Sequence, residues 1–154
     1  MTELDARRFQ VLIHAVGDRG VHVALDAIAH ARQVNGPREA RHQRVHIELA
    51  AAQDMARFAE LGVVACMQPR HCAADVGGAE WRAAAGPARW PLAWPFRSLH
   101  QAVAILAFSS DWNVAEMDPL TGNPPPAMVT VPGQCRTGSA LACLGIGLLA
   151  TVGE

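Results

Sequence analysis

Three side chains that can bind a metal ion accompany short apolar runs in this sequence. His14 ends the first run, His46 lies within the second, and Asp111 closely follows the last. Imidazole nitrogen and carboxylate oxygen are common ligands of divalent metals. Active sites of barrel proteins are built from polar residues at the carboxyl ends of parallel strands. We therefore expect His14, His46 and Asp111 to converge on one metal site.

The elements that must position these residues are an alternation of strands and helices. The apolar runs predict strands at residues 9–13, 44–49, 63–67 and 104–108. After the first strand, Val21, Ala24, Leu25 and Ile28 recur at helical spacing, and Asn35-Gly36-Pro37 stops the helix. Further helices are predicted at 54–61, before Gly62, and at 96–103, and the Trp-, Pro- and Gly-rich segment 70–95 is predicted as a long connection.

Apolar strands separated by helices are typical of a parallel sheet that is covered on both faces. Four strand–helix units make half of an eight-unit barrel. The predicted fold class is therefore α/β, as a partial TIM-type (β/α)8 barrel. We assign residues 1–122 to this half-barrel. Residues 123–154, which begin with a proline run and become apolar, form a poorly matching tail. The alternatives for this tail are a packed terminal helix and a non-native ending.

Composition excludes several classes of function. The 154 residues suit one domain, and 51% apolar against 18% charged residues indicate a globular chain. The net charge is −1 with scattered basic residues, so neither nucleic acid nor a membrane surface is expected as a partner. All thirteen basic residues are arginine. The absence of lysine excludes Schiff-base chemistry and a carboxylated-lysine metal bridge within this chain.

The cysteines and the polar start predict a cytoplasmic location. Cys66, Cys72, Cys135 and Cys143 form no CxxC pair or zinc-finger spacing, and the charged first residues do not resemble a signal peptide. Free thiols are expected in a reducing compartment. The apolar segment 140–152 is shorter than the ~20 residues that a membrane-spanning helix needs, so no such helix is predicted.

Several motifs in one order resemble amidohydrolase family 3, a group of metal-dependent hydrolases. The resemblance covers roughly residues 8–122. The motifs are His14-Ala15-Val16-Gly17-Asp18-Arg19, His46-Ile47-Glu48-Leu49, Arg57-Phe58-Ala59-Glu60-Leu61-Gly62-Val63, Met67-Gln68-Pro69, Ser110-Asp111-Trp112 and Asp118-Pro119-Leu120. The segment from Trp90 to Leu99 resembles the one that precedes the last barrel strand in such proteins.

The resemblance implies that this chain supplies about strands five to eight of the barrel. His14 and His46 would match the two later histidine ligands. Asp111 would match the aspartate that contacts the metal and acts as the catalytic proton shuttle. The metal is expected to be Zn²⁺, and the reaction to be hydrolysis of a non-peptide C–N bond in a small amide or formamide by activated water. Gln68 and His71, at the top of the third strand, are expected to face the substrate.

The family's HxH pair and its acidic bridging group have no counterpart in this sequence. Two hypotheses follow. The first is a hydrolase that is incomplete as a single chain. The alternative is a truncated, catalytically inactive remnant or a partner-dependent half-barrel, because a half-barrel leaves two unpaired strand edges. The partner would be a second copy in a homodimer or a complementary N-terminal half.

Overall fold

A computed structural model describes residues 1–72 and 78–117. In these ranges at least one helix separates each strand from the next along the chain. The strands are β1 (Leu12–Ala15), β2 (Gln43–His46), β3 (Val64–Met67) and β4 (Ile105–Phe108). The helices are α1 (Thr2–Ala6), α2 (Asp18–Asn35), α3 (Met55–Leu61), α4 (Gly78–Ala85) and α5 (Phe96–Gln101), with 3₁₀ segments at Ala52–Asp54, Pro69–Cys72 and Pro87–Leu92.

The four strands form one parallel sheet in the order β1-β2-β3-β4. The predicted α/β class with a parallel sheet is therefore confirmed, and the sheet is consistent with part of a barrel. Because the strands all run the same way, their carboxyl ends lie along one edge of the sheet. Within the described residues, β1 and β4 are the edge strands.

The core lies between the sheet and the helices. Val21, Leu25 and Ile28 of α2 are buried as their helical spacing predicts. Phe58 of α3 is fully buried in the same cluster. Gly62 ends α3 with a φ of 65°, a left-handed conformation that favours glycine, and the Val63 amide then donates to the Phe58 carbonyl at 2.8 Å.

The connection between β3 and β4 contains structure that the sequence did not predict. Helix α4 lies within it, and the Trp81 and Trp94 rings contact each other with centroids 4.2 Å apart. The Trp90 indole donates to the Arg82 carbonyl at 3.1 Å, while the Arg82 guanidinium lies over the Trp90 ring. These tryptophans pack the connection internally.

A buried polar cluster ties helix α1 to the segment before β2. Asp5 accepts hydrogen bonds from Asn35 at 2.8 Å, Arg38 at 2.7 Å and His42 at 3.1 Å. The Val11 amide donates to Nδ1 of His42, so the Nε2 proton of His42 is free to donate to Asp5. The hydrogen bond from Asn35 lowers the pKa of Asp5, burial opposes this shift, and Arg38 and His42 lower it further.

Replacing Asp5 with asparagine is expected to lower the free energy of unfolding by roughly 1–3 kcal/mol at neutral pH, because Arg38 and His42 lose a buried charge partner. The folded pKa lies below the ordinary value of 3.8. The stabilisation is therefore present above that pH and is lost as the pH falls below it. Urea unfolding at pH 7 and pH 3 measures both effects, and Glu3→Gln, an exposed acid on the same helix, is the control. An equal deficit at both pH values would contradict this prediction.

Arg44 of β2 is fully buried and only partly hydrogen-bonded. Its NH1 donates to the Ile13 carbonyl, while Nε and NH2 have no hydrogen-bond partner in the described part of the chain. Burial lowers the pKa of Arg44 from its ordinary value to about 10. Between these two values the unfolded chain binds more protons than the folded one, so at pH 7 the whole cost of burying the charge is present.

Replacing Arg44 with methionine is expected to raise the free energy of unfolding by about 1–3 kcal/mol, because an apolar side chain of similar length removes an incompletely paired buried charge. Urea unfolding at pH 7 measures the change. Arg8→Met, at an exposed position, is the control and should change stability little. A clear loss of stability in Arg44→Met would show that the guanidinium stabilises the fold.

No helix in residues 1–72 and 78–117 is long and apolar enough to cross a membrane. Cys66 and Cys72 are buried free thiols. Cys135, Cys143 and the predicted tail at 123–154 lie outside the described residues.

Candidate metal centre

The second strand ends at His46 in an unusual backbone conformation. His46 and Ile47 have φ angles of 78° and 54°, and Asp111, after β4, has a φ of 57°. Positive φ is uncommon outside glycine, and for the β-branched Ile47 it is strongly disfavoured. Strain of this kind concentrates at functional sites. Two of the three predicted ligands therefore lie on strained backbone at the carboxyl edge of the sheet.

His46, His71 and Asp111 form a cluster at this edge. One potential ligand atom from each residue lies within 4.8 Å of those of the other two. The His46 and His71 rings are stacked with centroids 5.6 Å apart, and Nε2 of His71 is 3.9 Å from Oδ2 of Asp111. Metal–ligand bonds of about 2.0–2.2 Å would require the three atoms to move slightly closer together.

His14 lies beside this cluster at the end of β1. Its ring meets the His46 ring edge-on, with centroids 4.3 Å apart. His14 is exposed, whereas His46 is buried. The structure thus places the two predicted histidine ligands in direct contact with each other.

The surroundings of His46 favour its neutral form. Burial lowers its pKa most, and the neighbouring His14 lowers it further. Asp111 and Glu48 oppose this shift, while His71 adds to it. A neutral imidazole has the lone pair that metal binding needs.

Two buried imidazole nitrogens in the cluster lack hydrogen-bond partners among the described residues. They are Nδ1 of His46 and Nε2 of His71. Buried polar atoms are rarely left without a partner unless a water, an ion or a functional role explains them. Together with the nearby Asp111 carboxylate, they form a nitrogen and oxygen donor set that suits a divalent metal. The residues present therefore fit a divalent metal ion.

Glu48 is a buried acid that was not predicted as a site residue. Its Oε1 lies 3.4 Å from Nδ1 of His71. Its backbone is held by the Trp94 amide, which donates to the Glu48 carbonyl at 2.8 Å. The available signal was its position two residues after His46, where the chain leaves the strand.

Gln68 lies at the end of β3 and is buried. Its Nε2 donates to the Ser109 hydroxyl at 2.7 Å, which links the ends of β3 and β4. Its Oε1 has no hydrogen-bond partner within the described residues. Gln68, which was predicted to contact the substrate, thus has an amide oxygen that is free to accept a hydrogen bond within the described residues. Ser109 is a neighbour that the sequence did not indicate.

Cys72 is near the cluster but is poorly suited to bind metal. Burial raises the pKa of its thiol well above the ordinary value, and the nearby Glu48 carboxylate raises it further. Metal binding needs the thiolate, which this environment disfavours.

A parallel sheet with imidazoles and a carboxylate at the carboxyl ends of its strands is typical of α/β proteins whose active sites lie at that edge. The profile of the amidohydrolase family matches residues 1–145. The chain belongs to this family, which confirms the resemblance seen in its motifs.

Three known proteins illustrate the similarity. Protein LONG AFTER FAR-RED 3 of Arabidopsis thaliana is 34% identical over 116 residues, which cover 75% of this chain and 20% of that protein. An uncharacterized metal-dependent hydrolase from Pyrococcus furiosus has a TM-score of 0.58 and 28% identity, covering 73% of this chain and 22% of that one. A second, from Pyrococcus horikoshii OT3, has a TM-score of 0.58 and 26% identity, covering 77% and 24%. The chain therefore spans only a fifth to a quarter of the length of these relatives.

Proposed function

We propose that this chain provides metal-binding and catalytic residues of a metal-dependent hydrolase that cleaves C–N bonds in small non-peptide amides or formamides. The observation that carries the proposal is the convergence of His46, His71 and Asp111, with His14 beside them, at the carboxyl edge of the sheet. Membership of the amidohydrolase family supports the reaction type. The two similar solved structures are of proteins described as metal-dependent hydrolases.

The proposed metal ligands are His14, His46 and Asp111, and the proposed metal is Zn²⁺. Two imidazoles and a carboxylate are a common zinc donor set. When bound, such a metal supplies Lewis acidity that activates water and polarises the scissile carbonyl.

Residues of this chain would then transfer the proton, orient the substrate and bind the metal. The side chain of Asp111 is 38% exposed, so its carboxylate can take a proton from the attacking water and deliver it to the leaving amine. The Gln68 amide, held by Ser109, would orient the substrate. A buried, neutral His46 keeps a lone pair available for the metal.

We also propose that the four strands correspond to strands five to eight of a (β/α)8 barrel, with residues 1–122 in the barrel and 123–154 as a separate tail. The parallel order β1-β2-β3-β4 supports this placement. The free thiols of Cys66 and Cys72 support a cytoplasmic location.

The test is hydrolysis by the zinc-loaded chain of a panel of N-formyl and N-acetyl amines, followed by the amine released, beside matched esters of the same acyl groups. Release from amides that disappears after chelation and returns with zinc is the expected result. Ester cleavage without amide cleavage would contradict the C–N assignment. No cleavage by a folded, zinc-loaded chain would leave the catalytically inactive form or the partner-dependent form.

The two edge strands of the sheet, β1 and β4, favour the partner-dependent form. Leu12 of β1 is 61% exposed and Ile105 of β4 is 53% exposed. Open apolar edge strands readily pair with another chain. We propose that a second copy or a complementary N-terminal half pairs with these edges. Sedimentation velocity across a concentration series should reveal self-association, which Leu12→Lys should weaken. A monomer at every concentration would contradict the homodimer and leave the complementary half.

A further inference from the structure

We propose that His71 is itself a protein ligand of this metal centre and that Glu48 is the positioning residue that holds it. The inference rests on the proposed function and extends it. His71 was expected to contact the substrate, but its ring is placed to contribute a donor atom to the metal.

The orientation of the His71 ring is the first observation that supports a role as metal ligand. Nδ1 is the nitrogen next to the Glu48 carboxylate, 3.4 Å from Oε1, and Nε2 is the nitrogen next to Asp111, 3.9 Å from Oδ2. A proton shared with a carboxylate on one nitrogen leaves the lone pair on the other. Carboxylate–histidine pairs of this form orient histidine ligands and increase their basicity in metal sites.

The burial of the His71–Glu48 pair is the second observation that supports this role. The side chains of His71 and Glu48 are 9% and 12% exposed. Nε2 of His71 is buried without a hydrogen-bond partner in the described residues. An imidazole nitrogen aimed at a carboxylate and a second imidazole, His46, has the surroundings of a ligand.

Main-chain hydrogen bonds support both members of the His71–Glu48 pair. The His71 amide donates to the Gln68 carbonyl at 3.1 Å, within the 3₁₀ segment that follows β3. The Glu48 carbonyl accepts from the Trp94 amide. A hydrogen bond thus holds the main chain beside each of the two side chains, and a preorganised ligand binds metal more tightly than a mobile one.

The test is titration of the full chain with Co²⁺ alone, followed by the visible absorption of the bound ion and by calorimetry. We expect His71→Ala to weaken binding at least about 100-fold and to change the absorption spectrum, because a nitrogen ligand is lost. Glu48→Ala should weaken binding about 10–100-fold, as removal of an outer partner usually does. Glu48→Gln retains an acceptor for the Nδ1 proton and should fall between Glu48→Ala and the unmodified chain.

His30→Ala, at an exposed position on α2, is the control for removing one imidazole and should bind as the unmodified chain does. Circular dichroism checks that each variant folds, and the Glu48 variants test the proposal if His71→Ala does not fold. Unchanged affinity and spectrum in the His71 and Glu48 variants, with binding lost in His46→Ala, would overturn this inference and leave the proposed function intact. No Co²⁺ binding by the unmodified folded chain would overturn both.

Discussion

Replacing Asp111 with asparagine is expected to lower the rate of amide hydrolysis by about 10²–10⁴-fold, the range that a general acid–base group contributes. Asparagine keeps the size of the side chain and one oxygen for the metal, but it cannot take a proton from water or return it to an amine. The amine released per unit time by the zinc-loaded protein measures the effect.

The control for this prediction is His46→Ala, which should lose bound metal and activity together. Asp111→Asn should instead retain most of its metal while losing turnover. A variant that loses both would show that Asp111 acts through metal binding alone. Unchanged turnover would contradict the assignment of Asp111 as the proton shuttle.

The second large effect is expected at Asp54, outside the proposed centre. Its carboxylate is fully buried and accepts from His22 at 2.9 Å and from Arg57 at 2.8 Å. It therefore ties α2 to α3. Asp54→Ala should lower the free energy of unfolding by roughly 1–3 kcal/mol, because His22 and Arg57 lose their buried partner and keep only the exposed Asp26 carboxylate. Urea unfolding at pH 7 measures this change.

Asp26 provides a matched control because it contacts the same two side chains. Its side chain is 55% exposed, and it lies 3.5 Å from His22 and 2.6 Å from Arg57. Asp26→Ala should cost no more than about 1 kcal/mol, as is usual for an exposed ion pair. Equal losses at Asp54 and Asp26 would show that burial does not set the strength of these interactions.

Much of the fold could be predicted because apolar spacing reports burial directly. Helix α2 ends before Gly36 as expected, and the buried positions of its stripe include Val21, Leu25 and Ile28. Strand β3 lies within the predicted run 63–67. In these segments the intrinsic pattern and the tertiary structure agree, so the pattern alone was sufficient.

The differences arise where tertiary contacts override the local pattern. Strand β1 begins at Leu12 rather than at residue 9, and Phe9 is 56% exposed. Helix α1 has only five residues and depends on long-range bonds, including the one from Asn35 to the Thr2 carbonyl. A helix this short has little intrinsic stability, so its sequence carries little signal.

The positions of the candidate site residues were predictable in part for a related reason. Strand ends could be predicted from the sequence, and they identified His14, His46 and Asp111 as candidate ligands. The structure places all three at the carboxyl edge of the sheet. The end of β2 at His46, rather than at residue 49, depends on positive φ angles at His46 and Ile47. No residue pattern predicts such angles at isoleucine. The pairing of Glu48 with His71 follows from that turn, and so it could not be foreseen.

We propose that residues of this chain form one metal site at the carboxyl edge of the sheet. The most direct measurement is the amount of bound transition metal per folded chain after purification from zinc-supplemented cells, beside a His14→Ala/Asp111→Ala double variant. We predict about one equivalent in the unmodified chain and none in the variant. A folded chain without metal, or equal metal in both proteins, would contradict the claim.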